Sequence, residues 1–273
     1  MLFLEFEFGK LLSKKLASVL AILLVSSMLS NCVTTTTGGF MADASESRAA
    51  TDYIQLALAY FDNGDMPGAR RHVNNALDID DRISDAYMVL AMVFQREGDL
   101  GLADTNYRRA ISLDQDNSSA RNNYAAMLFS QERFRESYEQ LERVANDTNY
   151  EGRSLVFEGL GRSALRLGRQ EDAKVAFQRA LQLNENFFIA PLELALIYFD
   201  QKDYLLARQY YQNYLTTIAF LQLPHTPRAL LAGIQIEGYF QNEELVENFS
   251  LVLTTLYSTS PEFQTFQRLS NAS

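Results

Sequence analysis

The stretch Tyr87-Met88-Val89-Leu90-Ala91-Met92-Val93-Phe94, followed by Gly98-Asp99-Leu100, Ala103, Tyr107 and Ala110-Ile111, decides the fold. Tyr87, Leu90, Ala91 and Phe94 fall at i, i+3, i+4 and i+7, which is one face of an α-helix. Gly98-Asp99 opens a turn, because glycine enters backbone conformations that other residues avoid. Ala103, Tyr107 and Ala110 then make the facing stripe of a second helix. The small side chains of Ala91, Ala103 and Ala110 let the two helix axes approach closely. The larger Tyr87, Leu90, Phe94 and Tyr107 fill the space to either side.

The pattern recurs along the chain. It reads Tyr53, Leu56-Ala57, Tyr60, Gly64-Asp65, Ala69, Val73 and Ala76 34 residues earlier, and Tyr124-Ala125, Leu128, Ser137, Leu141 and Val144 34 residues later. After a two-residue insertion it returns as Phe157, Leu160-Gly161, Ala164, Gly168, Ala173, Phe177 and Ala180, and again as Leu194-Ala195, Tyr198, Tyr204, Ala207 and Tyr211. One helical hairpin cannot bury its own apolar face, so such units are stable only as a stack. The spacing resembles the tetratricopeptide repeat (TPR). It predicts an all-α, right-handed superhelical TPR solenoid of about six helix-turn-helix repeats, near residues 50–83, 84–117, 118–153, 154–187, 188–222 and 225–259. The sixth unit is degenerate, with helices expected over Arg228 to Gln241 and Glu243 to Leu256, and reads as a capping repeat. Pro224, Pro227 and Ser260-Pro261 punctuate its ends, and Glu262 to Ser273 is expected to form a short helix or to fray.

The N-terminal segment differs in kind. Lys10, Lys14 and Lys15 precede an apolar run from Leu16 to Leu29, too short for a bilayer span of about 20 residues but suited to a signal peptide. The run ends at Leu29-Ser30-Asn31-Cys32, which resembles the lipobox of bacterial lipoproteins and holds the chain's single cysteine. The resemblance implies cleavage before Cys32 and acylation of its thiol. The absence of Asp at Val33 implies sorting to the outer membrane, facing the periplasm. Glu5 and Glu7 stand where a signal peptide is basic, which places the expected start near Leu11. The organisation expected is a lipoprotein signal peptide over 1–31, a flexible Thr- and Ser-rich tether over 32–47, and a TPR domain over 48–273.

Composition narrows the function. The chain of 273 residues is 47% hydrophobic and carries a net charge of -10, or -11 once residues 1–31 are removed. Acidity disfavours nucleic acid as a partner. One cysteine permits no internal disulfide and no cysteine-based zinc site. The two histidines, His72 and His225, are far apart and outside any His-Glu-x-x-His motif. His72 reads as a solvent-exposed helix residue and His225 as a loop residue. Glu136, Glu139 and Glu142 read as a solvated helix face. No nucleophile elbow, P-loop or dinucleotide fingerprint occurs. The expectation is a monomeric, non-catalytic protein with no cofactor, no metal and no small-molecule substrate.

The order of features resembles the type IV pilus biogenesis and stability lipoproteins, the pilotin family usually called PilF or PilW. The resemblance rests on the lipoprotein signal and six repeats, on Asn122-Asn123-Tyr124 opening the third repeat, on the insertion with Tyr150, and on Gly159 to Gly168 opening the fourth. At the end it rests on Ala229-Leu230-Leu231-Ala232-Gly233-Ile234-Gln235-Ile236 and the closing Leu256-Tyr257-Ser258-Thr259-Ser260-Pro261-Glu262. It implies an outer-membrane adaptor that binds a pilus secretin subunit and promotes its localisation and multimer assembly, as needed for pilus biogenesis and twitching motility. A general periplasmic TPR lipoprotein that scaffolds other envelope proteins, such as cell-wall enzymes, is the alternative.

In TPR arrays the first helix of each repeat lines the groove at positions 2, 5, 9 and 12. The candidate partner groove is therefore Ile54, Leu58, Phe61, Met88, Met92, Asn122, Phe129, Arg162, Leu192, Leu196 and Phe199, with Ala126, Leu155 and Glu158 among their neighbours in register. Many are apolar, which suits a peptide or helix ligand, and Asn122 is the best-placed polar group for holding an extended backbone. If Cys32 is lipidated, intact mass spectrometry of the membrane fraction should show a mature chain that begins at Cys32 and carries acyl chains. Cys32→Ser should lose that added mass, and retention of it by the variant would refute the assignment.

Overall fold

The computed structural model describes residues 39–271, with side chains described from 45 to 271. The expected signal peptide and Cys32 lie outside the described residues. Thirteen helices and no strands occur among those that are described. Six antiparallel pairs follow in order: α1 (Gly39–Asp62) with α2 (Met66–Ile79), α3 (Ser84–Glu97) with α4 (Leu100–Leu113), α5 (Ser118–Ser130) with α6 (Phe134–Ala145), α7 (Arg153–Arg166) with α8 (Gln170–Leu183), α9 (Ile189–Asp200) with α10 (Tyr204–Phe220), and α11 (Pro227–Tyr239) with α12 (Glu243–Leu256). A last helix, α13 (Pro261–Ser270), packs against α11. Each second helix packs on the first helix of the next pair, as α4 does on α5 and α6 on α7, so residues 50–271 form one continuous stack. The all-α TPR solenoid expected from the repeat is the fold observed.

The stack is held at the small residues. Ala57, Ala91, Ala125, Gly161 and Ala195 on the first helices are all buried. So are Ala69, Ala103, Ser137, Ala173 and Ala207 at the start of the second helices. Between them Val73, Tyr107, Leu141, Phe177 and Tyr211, one per repeat in the same register, are buried as the large side chains that fill each interface. At 25 cal/mol per Å2 a fully buried side chain of this size contributes about 1.5–3 kcal/mol. Where the third repeat has Ser137 in place of alanine, its hydroxyl donates to the carbonyl of Ala125 at 2.9 Å, so the close approach leaves no polar group unpaired.

The turns follow the same register. Gly64, Gly98 and Gly168 have φ of 79°, 86° and 73°. At the equivalent turns Glu132, Lys202 and Gln241 adopt φ of 60°, 61° and 56°, a left-handed conformation that costs a non-glycine residue about 1–2 kcal/mol. The next residue caps the second helix. Asp65 Oδ1 accepts from Gly68 N at 2.8 Å, Asp99 Oδ1 from Leu102 N at 3.0 Å, and Asp203 Oδ1 from Leu206 N at 3.2 Å. In the third repeat that position is Arg133, which offers no cap and instead binds carboxylates.

Two sequence expectations are corrected here. The flexible tether does not extend to residue 47, because α1 begins at Gly39. Met41, Ala42, Ala44, Glu46, Arg48 and Ala49 are strong helix formers, and the segment contains no proline to stop them. Glu136 is also not a free solvated carboxylate. Arg133 holds it through Nε and Nη2 at 2.8 and 2.6 Å, and Arg108 reaches it at 3.3 Å.

That arginine pair also joins repeats two and three. Asp104 on α4 accepts from Arg108 Nε, Arg133 Nη1 and the Tyr124 hydroxyl, each at 2.7 Å. Burial would raise the Asp104 carboxyl, but the two guanidinium groups and the phenol outweigh it and hold the pKa at about 2 instead of 3.8. A folded-state pKa below the unfolded one gives stability that is present above the unfolded value and lost as pH falls through the folded value. Asp104→Asn should therefore lower the urea midpoint at neutral pH and flatten its decline between about pH 5 and 2. A parallel decline in the two proteins would refute this. At Gly161 an added Cβ would stand 2.6 Å from Phe177 Cε1. Gly161→Ala gains about 1 kcal/mol in helix propensity but overpacks the interface by about 1–3 kcal/mol, so urea unfolding should show a net loss of up to about 2 kcal/mol.

Candidate partner groove

The first helices of neighbouring repeats lie side by side, α3 against α5 and α5 against α7. Along this line two adjoining clefts share Ala126, an exposed residue on α5. The first, of ≈ 360 Å3, is lined by Phe61, Met92, Gln95, Arg96, Tyr107, Asn123 and Ala126. The second, of ≈ 440 Å3, takes Asn122, Phe129, Leu155, Glu158 and Arg162 as its principal wall residues. Both are built alike. An aromatic ring at the end of one first helix lies beneath an arginine of the next repeat: Arg96 lies 4.7 Å from the Phe61 centroid, and Arg162 lies 4.8 Å from that of Phe129. Each guanidinium hides one face of its ring and leaves the aliphatic stem as part of the wall.

Of the eleven groove residues expected, Phe61, Met92, Asn122, Phe129 and Arg162 line these clefts. Ile54, Met88 and Leu192 do not project into a groove. They are 8%, 7% and 7% exposed and belong to the cores of repeats one to three and five to six. Leu58, Leu196 and Phe199 are half-buried against the same cores. The physical reason is that position 5 of each repeat faces the neighbouring first helix as much as the groove, so an apolar side chain there turns inward. In the third and fourth repeats the same position is Asn122 and Glu158, and both line the larger cleft. Asn122 has no side-chain hydrogen bond among the described residues. Arg96, Tyr107 and Asn123 were not anticipated. The spacing of about one repeat between Phe61 and Arg96, and again between Phe129 and Arg162, was the signal available for the arginines.

In the first cleft several polar wall groups pair with one another. Tyr107 donates its hydroxyl to Gln95 Oε1 at 3.0 Å, and burial pushes its pKa well above the usual phenol range. Asn123 donates to Met92 Sδ at 3.6 Å. Neither histidine lies here. His72 is stacked on Tyr60 and Tyr53, with centroids 4.9 and 6.0 Å apart, and so is not the exposed residue expected. His225 is a half-buried loop residue set edge-on to Phe249, and burial lowers its pKa. Among the described residues no group of three His, Cys, Asp or Glu side chains is placed to share a metal ion.

Paired helices in a 34-residue register, with the groove on the first helices, define a tetratricopeptide-repeat protein. Family models described as Tetratricopeptide repeat match residues 84–117 and 159–220. The chain is 35% identical over 240 residues to the type IV pilus assembly protein PilF of Pseudomonas aeruginosa, covering 88% of this chain and 93% of that one. It belongs to the PilF family. The solved structure of Pseudomonas aeruginosa PilF superposes with a TM-score of 0.76 at 36% identity, over 82% of this chain and 99% of that one. PilW, described as a widely conserved type IV pilus biogenesis factor, superposes with a TM-score of 0.65 at 23% identity, over 80% and 98%, and shares the fold.

Proposed function

We propose that this protein works in type IV pilus biogenesis as a pilotin: a TPR adaptor, anchored to the outer membrane through a lipid on Cys32, that binds the pilus secretin subunit and promotes its localisation and multimer assembly. The observation that carries the reading is the pair of adjoining clefts around Ala126, whose walls set Phe61, Met92, Phe129 and Leu155 among polar groups, with Asn122 unengaged. Such a surface suits an extended or helical segment of another protein, which sets apolar side chains into successive clefts while a polar amide holds its backbone. Family membership beside PilF, a named type IV pilus assembly protein, supports the cellular setting. A lipid anchor confines the adaptor to one membrane leaflet and so raises the effective concentration of a bound subunit there. This gives assembly without chemistry.

Ala126 provides the test. It is exposed, it touches both clefts, and it belongs to none of the buried clusters, so Ala126→Arg should fill the groove with little effect on the fold, within about 0.5 kcal/mol. In a deletion strain the wild-type gene should restore heat- and detergent-resistant secretin multimers and twitching, and Ala126→Arg should restore neither. Normal secretin multimers in the strain carrying Ala126→Arg, or in the deletion strain itself, would refute the proposal.

A further inference from the structure

Three glutamates are buried among the described residues: Glu158, Glu193 and Glu237. Two are fully matched. Glu237 on α11 accepts from Arg208 Nε and Nη2 at 3.1 and 2.8 Å and from the Asn242 amide at 3.0 Å. Glu193 on α9 accepts from both terminal nitrogens of Arg228, one of them at 2.8 Å. Glu158 on α7 is not matched in this way. Its one hydrogen bond among the described residues is a long one, 3.4 Å from Arg162 Nη1 to Oε1, and Oε2 has none. Yet the residue is 7% exposed and lines the larger cleft.

The surroundings explain what this carboxylate lacks. The Arg162 guanidinium is shared with the Phe129 ring, and its side chain is half-exposed. Burial raises the Glu158 pKa, Arg162 pulls it back, and the nearby charge of Glu193 raises it again. The chain as a whole carries a net charge of -10, which favours a basic partner over an acidic one. Oε2 is not sealed from solvent, so a donor carried by a ligand can reach it and complete the set of hydrogen bonds. Glu158 also breaks the register: it occupies the repeat position where Ile54, Met88 and Leu192 are buried and apolar. The stack does not require an acid there, since three other repeats do without one.

We infer that Glu158 is the cation-recognising residue of the groove, where a lysine or arginine of the bound protein segment sets its charge on the free Oε2 while a neighbouring apolar side chain lies against Phe129 and Leu155. The inference rests on the groove reading above and adds the chemistry of the occupant: a basic residue beside an apolar one, and not an acidic or uniformly apolar segment. Oppositely charged groups meeting in a water-poor cleft give selectivity as well as affinity.

The full-length protein in detergent can be screened against a positional-scanning library of random dodecapeptides. Wild type should enrich lysine or arginine next to an aliphatic or aromatic residue. Glu158→Gln should keep the apolar preference, lose the basic one, and bind the best selected peptide about tenfold more weakly or worse. Norleucine in place of that peptide's lysine should weaken wild type by a similar factor and leave Glu158→Gln unaffected. No basic enrichment by wild type, or an equal loss with norleucine in both proteins, overturns the inference. Should Glu158→Gln melt early, the norleucine peptide on wild type decides alone, and an unchanged affinity overturns it. The library contains no secretin, so its result is independent of the proposed client. Secretin capture that is sensitive to Ala126→Arg but shows no basic preference would sink the Glu158 inference alone. Basic selection without secretin multimer loss would sink the secretin reading alone.

Discussion

Everything in this structure depends on how closely two helices can approach at a few small residues. In each of five repeats a first-helix Ala or Gly meets a second-helix Ala or Ser, and neither side has room for a larger group. The tightness is measurable at Gly161, where even one methyl would collide with the Phe177 ring. Interiors packed at crystalline density transmit such constraints, so this contact sets the tilt of every hairpin and therefore the line along which the first helices stack. The groove is a consequence. Once the small-residue contact fixes the hairpins, Met92 and Ala126 at position 9 and Phe61 and Phe129 at position 12 come onto one surface across successive repeats.

Much of this was legible in the sequence, for a definite reason. A residue that must be small, and one that must be large, are both visible as residue types, and a fixed interval of 34 residues repeats the message. The large interface residues Val73, Tyr107, Leu141, Phe177 and Tyr211 could be read off in register, and all are buried. Features whose cause lies outside the repeat were less visible. Glu132 and Lys202 carry the left-handed turn that glycine carries elsewhere, because the hairpin around them dictates the conformation against their own preference. Helix α1 reaches back to Gly39, through residues whose small polar composition suggested a tether but whose helix propensity is good. His72 was hidden because its partners, Tyr53 and Tyr60, belong to the other helix of its hairpin.

The groove shows where register reasoning stops. Position 5 was assigned to the groove in every repeat, yet it sits at the seam between neighbouring first helices. Ile54, Met88 and Leu192 turn into the core because burying an aliphatic side chain is favourable by about 1.5–3 kcal/mol. Asn122 and Glu158, at the same position, line the cleft. A sequence rule gives one answer for all five, whereas the physics gives two, decided by whether the side chain gains or loses by leaving water.

This division separates stability from recognition in a way that suits an adaptor. The contacts that hold the stack are made by small and aromatic residues on the faces between helices. The clefts share Tyr107, Ser137 and Leu141 with those contacts and add Asn122, Ala126, Glu158 and Arg162, which those contacts do not need. Exchanges at Asn122, Ala126, Glu158 or Arg162 can alter what the groove accepts while leaving Tyr107 and Phe177 in place, because none of the four belongs to the buried clusters around those rings. The exception is the buried charge. Glu158 is the one carboxylate lining these clefts, and it lacks the full set of protein partners that Glu193 and Glu237 have. A stack that is secure elsewhere tolerates such a group, and the group makes the cleft selective because the missing bonds are supplied by a ligand that carries the complementary charge.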